Sequence, residues 1–237
     1  MKVVFLVTVG ILLAVATGNP AVAAESDDQI NTFLQVEQLE YRVGNGDDSV
    51  NWDAGGWIGE DYNKLWFKTE GEKVIDGKVE EAEIQLLYSR LISPFFDLQV
   101  GLRGDVKPEP ERAFGVIGFQ GLSPYFFEID TAAFISNKGE VSARLEAEYE
   151  ALLTQRMVLQ PSLELNLAVQ DVEERGIGSG INDIELGLRL RYEFEREFAP
   201  YIGINWSRKI GETADFAEEE GEGIDAFSFV AGVRFWF

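Results

Sequence analysis

Carboxylates recur at every second position along several stretches of this chain. Glu81 and Glu83 form one such series, Glu128 and Asp130 another, and Glu146, Glu148 and Glu150 the longest. Asp97, Glu164, Asp183 and Glu185 stand in similar stretches. Residues two apart share one face of a β-strand, so each series lines a wall with acid oxygens. Hard oxygen ligands of this kind suit passing or holding cations. A second reading stays open. Arg103, Arg144, Arg189 and Arg191 fall on the same faces and would neutralise the acids as ion pairs filling an interior.

Other chemistries are excluded by composition. The chain has no histidine and no cysteine, which removes the commonest general base, the usual nucleophile triads, thiolate chemistry and the commonest transition-metal ligand. Beyond the first 23 residues Met157 is the one remaining thioether. No catalytic constellation stands out, and the chain is expected not to be an enzyme. A formal net charge of −22 argues against nucleic acid, whose phosphates would be repelled. Arg175-Gly176-Ile177-Gly178-Ser179-Gly180 looks superficially like a glycine-rich nucleotide loop. No helix pattern follows it, so it reads as a flexible loop. Glu212, Asp215, Glu218, Glu219, Glu220 and Glu222 read as a solvated acidic loop.

The elements that must carry these residues alternate with period two. Ile84, Leu86 and Tyr88 interleave with Glu83, Gln85 and Ser89. Ile184, Leu186, Leu188, Leu190, Tyr192 and Phe194 interleave with Asp183, Glu185, Gly187, Arg189, Arg191 and Glu193. This is the signature of strands with one apolar and one polar face. Residues 140–153 have high helix propensity. As a strand, however, they place Val141, Ala143, Leu145, Ala147, Tyr149, Ala151 and Leu153 on one clean face, so a strand is expected. Ten strands follow from residue 57: 57–70, 79–91, 95–105, 112–121, 125–137, 140–153, 157–170, 181–194, 200–210 and 225–237. Such runs are longer than the roughly five or six residues of soluble strands and match the roughly 9–11 needed to cross a bilayer at a tilt.

Residues 1–23 read as a cleaved signal peptide, with Lys2, an apolar run from Val3 to Val15 and a small-residue site at Ala21-Val22-Ala23. Tight connections at Ser93-Pro94, Ser123-Pro124, 154–156 and 196–199 alternate with mostly longer ones, and bacterial barrels keep their short turns in the periplasm. The last strand ends flush in Phe235-Trp236-Phe237. Phe237 is the residue that barrel assembly machinery would read. The expectation is an all-β, antiparallel transmembrane β-barrel in the bacterial outer membrane with a small lumen. It has about ten strands, or twelve if residues 24–56 add a hairpin and do not instead lie in the lumen or at its mouth. Outer-membrane lipid and the assembly machinery are its expected partners.

Several stretches resemble the copper resistance protein B family of outer-membrane proteins. They include Trp52 to Gly59, Asp61 to Trp66, Leu87-Tyr88-Ser89-Arg90, Gly121 to Tyr125, Leu145 to Tyr149 with Leu153 to Arg156, and Gln160-Pro161. The most specific are Glu174 to Gly180, Glu185 to Tyr192 and Ala199 to Gly203. The resemblance spans about residues 30–237. It implies a barrel acting in copper homeostasis and tolerance, with copper as its metal and periplasmic copper proteins as partners. Only Glu25 to Gln29 stand between the cleavage site and the first strand candidate. The match is therefore to the family's barrel region, without the Met- and His-rich segment that members often carry before it. Copper favours imidazole and sulfur ligands, so metal held by this chain has to rely on carboxylates.

Overall fold

The computed structural model describes residues 29–75 and 77–237. The signal-peptide expectation falls on residues 1–23, outside the described residues.

Twelve antiparallel strands form one closed sheet. They are β1 (Asn31–Gly44), β2 (Ser49–Gly59), β3 (Asn63–Val74), β4 (Val79–Ser93), β5 (Phe96–Lys107), β6 (Arg112–Leu122), β7 (Phe127–Ser136) and β8 (Val141–Tyr149). A short continuation of β8 follows Glu150 at Ala151–Leu152, and then come β9 (Met157–Ala168), β10 (Gly180–Tyr192), β11 (Phe198–Lys209) and β12 (Asp225–Trp236). Each strand pairs with its sequence neighbours, and β12 pairs back onto β1 from Gln35↔Trp236 to Gly44↔Ser228. Closure removes the free edge that an aromatic-rich final strand would otherwise expose.

The faces are inverted relative to a soluble protein. Leu102, Ile202 and Phe229 are 68%, 64% and 61% exposed, whereas Glu40, Ser89 and Gln99 are at most 2% exposed. Apolar side chains outside and polar ones inside require lipid around the barrel and a polar lumen within it. Among the described residues no helix is long and apolar enough to cross a membrane. The segment of high helix propensity, residues 140–153, is strand over Val141–Tyr149 and Ala151–Leu152, because its clean apolar face gains more against lipid than local preference costs.

Two expectations are corrected, and the strand count is decided. No single strand covers 57–70: β2 ends at Gly59, Glu60 to Tyr62 make a turn, and β3 starts at Asn63. The turn is why the alternation there is blurred. The barrel therefore starts at Asn31, with β1 and β2 as its first hairpin, and has twelve strands, the higher of the two counts. The acidic stretch after β11 is not open loop, since Glu212–Glu220 forms helix α1, closed by Gly221 in the left-handed region.

The connections sort onto two rims. Residues 60–62, 94–95, 123–126, 153–156 and 193–197 share one rim with both ends of the described chain, where Leu34 and Phe237 exchange backbone hydrogen bonds of 3.1 and 2.8 Å. By the short-turn rule this rim is periplasmic. The outer rim carries the 169–179 loop and α1.

Candidate cation path in the lumen

Alternation sends every second side chain inward, and the wall register decides which of them meet. Asp130 of β7 lies opposite Glu146 of β8, Glu146 opposite Glu164 of β9, and Glu164 opposite Glu185 of β10. On the facing wall Asp53 of β2 lies opposite Glu70 of β3, and Glu70 opposite Glu83 of β4. Directly opposed side chains on one face have Cβ atoms about 4.5–5.5 Å apart, where like charges repel. Two rows of carboxylates thus cross the strands at one level of the barrel.

A cavity of about 380 Å³ opens between these rows in the periplasmic half. Seven carboxylates line it, those of Glu37, Asp53, Glu70, Glu128, Asp130, Glu146 and Glu148, against two cationic side chains, Lys68 and Arg144. Lys68 Nζ donates to Asp130, and Arg144 donates to Glu70 and Glu83 at 2.7 and 3.0 Å. Asp53 and Glu128 have no hydrogen bond or ion pair within 4 Å among the described residues. Gln35, Gln85, Gln99, Gln120 and the buried Trp66 complete the wall. An apolar cluster of Trp66, Leu87, Phe114, Val116 and Phe134 packs inside the barrel on the β3–β7 side. Arg103 stacks over Phe114 and Phe134 at 5.3 and 4.7 Å.

The β9–β12 side is filled by paired charge. Arg189 donates twice to Glu40 at 2.9 Å, Tyr201 Oη donates to the same carboxylate at 3.0 Å, and Arg42 Nε does so at 2.8 Å. Arg42 also reaches Glu185 at 3.0 Å. Nearer the periplasm, Arg191 and Arg234 both hold Glu150, at 2.6 and 2.8 Å.

The candidate residues therefore divide. Glu128, Asp130, Glu146 and Glu148 line the cavity. Glu83 is locked by Arg103 at 2.7 Å and by Arg144. Glu150 and Glu185 are paired with arginines, and Glu164 meets Arg144 at 3.6 Å while accepting from Asn166 at 2.8 Å. Glu81 lies opposite Glu72 and is solvent-exposed. Arg103 pairs with Glu83, Arg144 with Glu70, Arg189 with Glu40 and Arg191 with Glu150. Among the described residues no three carboxylates are grouped closely enough to hold a metal ion. Met157 lies opposite Tyr192, one position off the inward series that starts at the buried Val158, so it turns away from the lumen.

Glu37, Glu40 and Asp53 escape a reading that starts the barrel at residue 57, and Lys68 and Glu70 one that runs a single blurred strand over 57–70. Their signal is present: Lys64, Trp66, Lys68 and Glu70 alternate with Leu65, Phe67 and Thr69 once a turn is placed at Gly59 to Asn63.

With the lumen in view, comparison with known proteins gives the family. The model of "Copper resistance protein B precursor (CopB)" matches residues 30–237. The chain belongs to the copper resistance protein B family. It is 45% identical over 222 residues to Copper resistance protein B of Escherichia coli, covering 94% of this chain and 75% of that one. It is 41% identical over 211 residues to the Copper resistance protein B homolog of Pseudomonas syringae pv. tomato (strain ATCC BAA-871 / DC3000), covering 89% and 71%. Among solved structures the NanC porin superposes with a TM-score of 0.55 at 11% identity, covering 86% of this chain and 99% of that one. The KdgM porin in complex with disordered oligogalacturonate gives 0.51 at 9%, covering 86% and 99%. At these identities the porins speak for the fold alone. Family and fold together place this member in the outer membrane, in contact with its lipid.

Proposed function

We propose that this barrel serves copper tolerance by holding or passing copper, or a cation like it, through its acid-lined lumen, with no enzymatic step. The observation that carries the reading is the cavity of about 380 Å³ with seven carboxylates and two cationic side chains on its wall. Opposed like charges cost stability, and a barrel built only to stand would gain by replacing them. The relatives' name supplies the metal. The chain's own residues supply hard oxygens and amides, so the cation is held by charge and by its hydration shell, without soft ligands. Periplasmic copper proteins and the barrel assembly machinery, the latter reading Phe237, are its proposed partners.

A second reading has its own observation. The Glu40–Arg189–Arg42–Tyr201 and Arg144–Glu70–Glu83 pairings are what a closed barrel, anchoring a partner and binding no metal, would need. Planar-bilayer conductance with and without Cu(II), combined with copper tolerance of a deletion strain, separates the two. Complementation should use Glu146→Gln and Glu148→Gln together. Glu150→Gln is unsuitable because it would also break the Arg191 and Arg234 pairs. Loss of copper-dependent conductance and tolerance in the double variant supports passage, while a silent barrel with no tolerance phenotype overturns it.

A further inference from the structure

The 169–179 loop is tied down at both of its sides, contrary to a flexible loop. Val172 and Ile177 bridge each other with hydrogen bonds of 2.7 and 3.2 Å. Between them Glu173–Arg175 form a 3-10 turn, closed by Gly176 at φ 63°. One side of the loop sits on α1, where Gly178 N–H donates to Thr213 Oγ1 at 2.9 Å and Ser179 Oγ donates to Glu212 at 3.0 Å. The other side reaches across the mouth, past β6, β7 and β8. Arg175 Nη2 donates to Asp105 Oδ2 of β5 at 2.9 Å, and Asp105 Oδ1 accepts from Arg103 Nε at 2.6 Å. Beside this pair Arg112 of β6 holds both Glu174 of the loop and Glu140.

The Arg175 and Asp105 side chains are 7% and 2% exposed, so their contact is buried. Arg175 Nε is nevertheless buried with no hydrogen-bond partner. A guanidinium left partly unsatisfied pays for its burial without full return.

We propose that Arg175 is a tethered cation that closes the outer mouth by occupying Asp105, and that the 169–179 loop seated on α1 is the lid that carries it. A cation traversing the lumen and the Arg175 guanidinium compete for the same oxygens. A divalent ion, with its higher charge, displaces the guanidinium better than a monovalent ion at equal ionic strength. Arg112 and Glu174 make a second strap that guides the lid back. The proposal rests on the cation passage proposed above, and its test keeps the two apart.

Because the chain has no cysteine, Gln85→Cys, opposite Arg103 on β4, creates a sole thiol beneath the lid. Intact cells lacking general porins are treated from outside with a membrane-impermeant trimethylammonium thiol reagent. Removing one charged hydrogen bond should raise the labelling rate by about tenfold in Arg175→Gln and in Asp105→Asn. Arg175→Lys should stay near the parent. Unchanged labelling in both neutral variants, with β-sheet circular dichroism intact, overturns the lid. Planar-bilayer conductance in K⁺ and Cu(II) then reads passage separately. If labelling rises and no cation is conducted, the lid stands and passage falls. If the parent conducts as freely as Arg175→Gln, passage stands and the lid falls.

Discussion

The periplasmic half of the lumen and its outer mouth use the same residue types to opposite ends. In the cavity seven carboxylates face two cationic side chains, and Asp53 and Glu128 have no direct partner among the described residues. At the mouth the acids beneath and beside the loop are held: Asp105 by Arg103 and Arg175, Glu140 and Glu174 by Arg112. The difference lies in counter-charge. Excess acid leaves room and field for a mobile cation, whereas matched acid and guanidinium supply their own cations and close the space. The β9–β12 wall, with Glu40 fully enclosed by Arg189, Arg42 and Tyr201, belongs with the mouth in this respect.

The comparison breaks first at the fully paired charge. Arg189→Ala leaves Glu40 with Arg42 and Tyr201 alone, so the loss should fall at the low end of the about 3–5 kcal/mol that removing one partner of a buried pair costs. Urea unfolding of the barrel in lipid vesicles should show that loss, and the double change Glu40→Gln with Arg189→Ala should recover part of it. Next comes the lid seat. A Cβ on Gly178 would stand 2.5 Å from Glu212 Cβ and 2.6 Å from Thr213 N. Gly178→Ala should therefore loosen the loop from α1 by about 1–3 kcal/mol, read as faster amide exchange confined to residues 169–179 and 212–220.

A smaller effect of opposite sign is expected in the cavity. Glu146→Gln relieves repulsion from Asp130 and Glu164, stabilising the barrel by roughly 0.2–1 kcal/mol per pair. The same change should lower cation over anion selectivity in bilayers. A variant that is both less stable and equally selective would falsify the division between cavity and mouth.

The smallest effect is set by pH at the mouth. Burial works to raise the Glu140 carboxyl, but hydrogen bonds from Ser136 and Arg112 and the Arg112 charge outweigh it and hold it below its ordinary 4.5. A lowered folded value means that its contribution is complete above about pH 4.5 and fades as pH falls further. Exchange of the 169–179 amides should be pH-independent in stability terms above that point and accelerate below it, with Glu140→Gln weakening the dependence and the Asp105, Asp171 and Glu174 carboxylates in and beneath the loop carrying the remainder.

Much of the barrel was legible in the residues because lipid imposes a simple rule. Ile184 to Phe194 could only alternate that way as a strand with one apolar face, and residues 140–153 obeyed the same rule against their helix propensity. The first hairpin was obscured because Gly55, Gly56 and Gly59 blur alternation and the turn at Glu60 to Tyr62 carries an aromatic residue. In the candidate site, the wall positions of Glu128, Asp130, Glu146 and Glu148 followed from period two alone. Their separation from Glu83, Glu150 and Glu185, which look the same in sequence, did not.

The sequence by itself determined that this chain crosses the outer membrane as strands, that its interior is acidic and that soft metal ligands are missing, since composition and period two are local properties. Only the tertiary structure decided which acids are matched. Pairing depends on which strands and loops, far apart in the chain, come together, such as Glu40 with Arg189 and Asp105 with Arg175. Closing the barrel brings β1 round to the strands near the C-terminus, and folds the 169–179 loop onto β5.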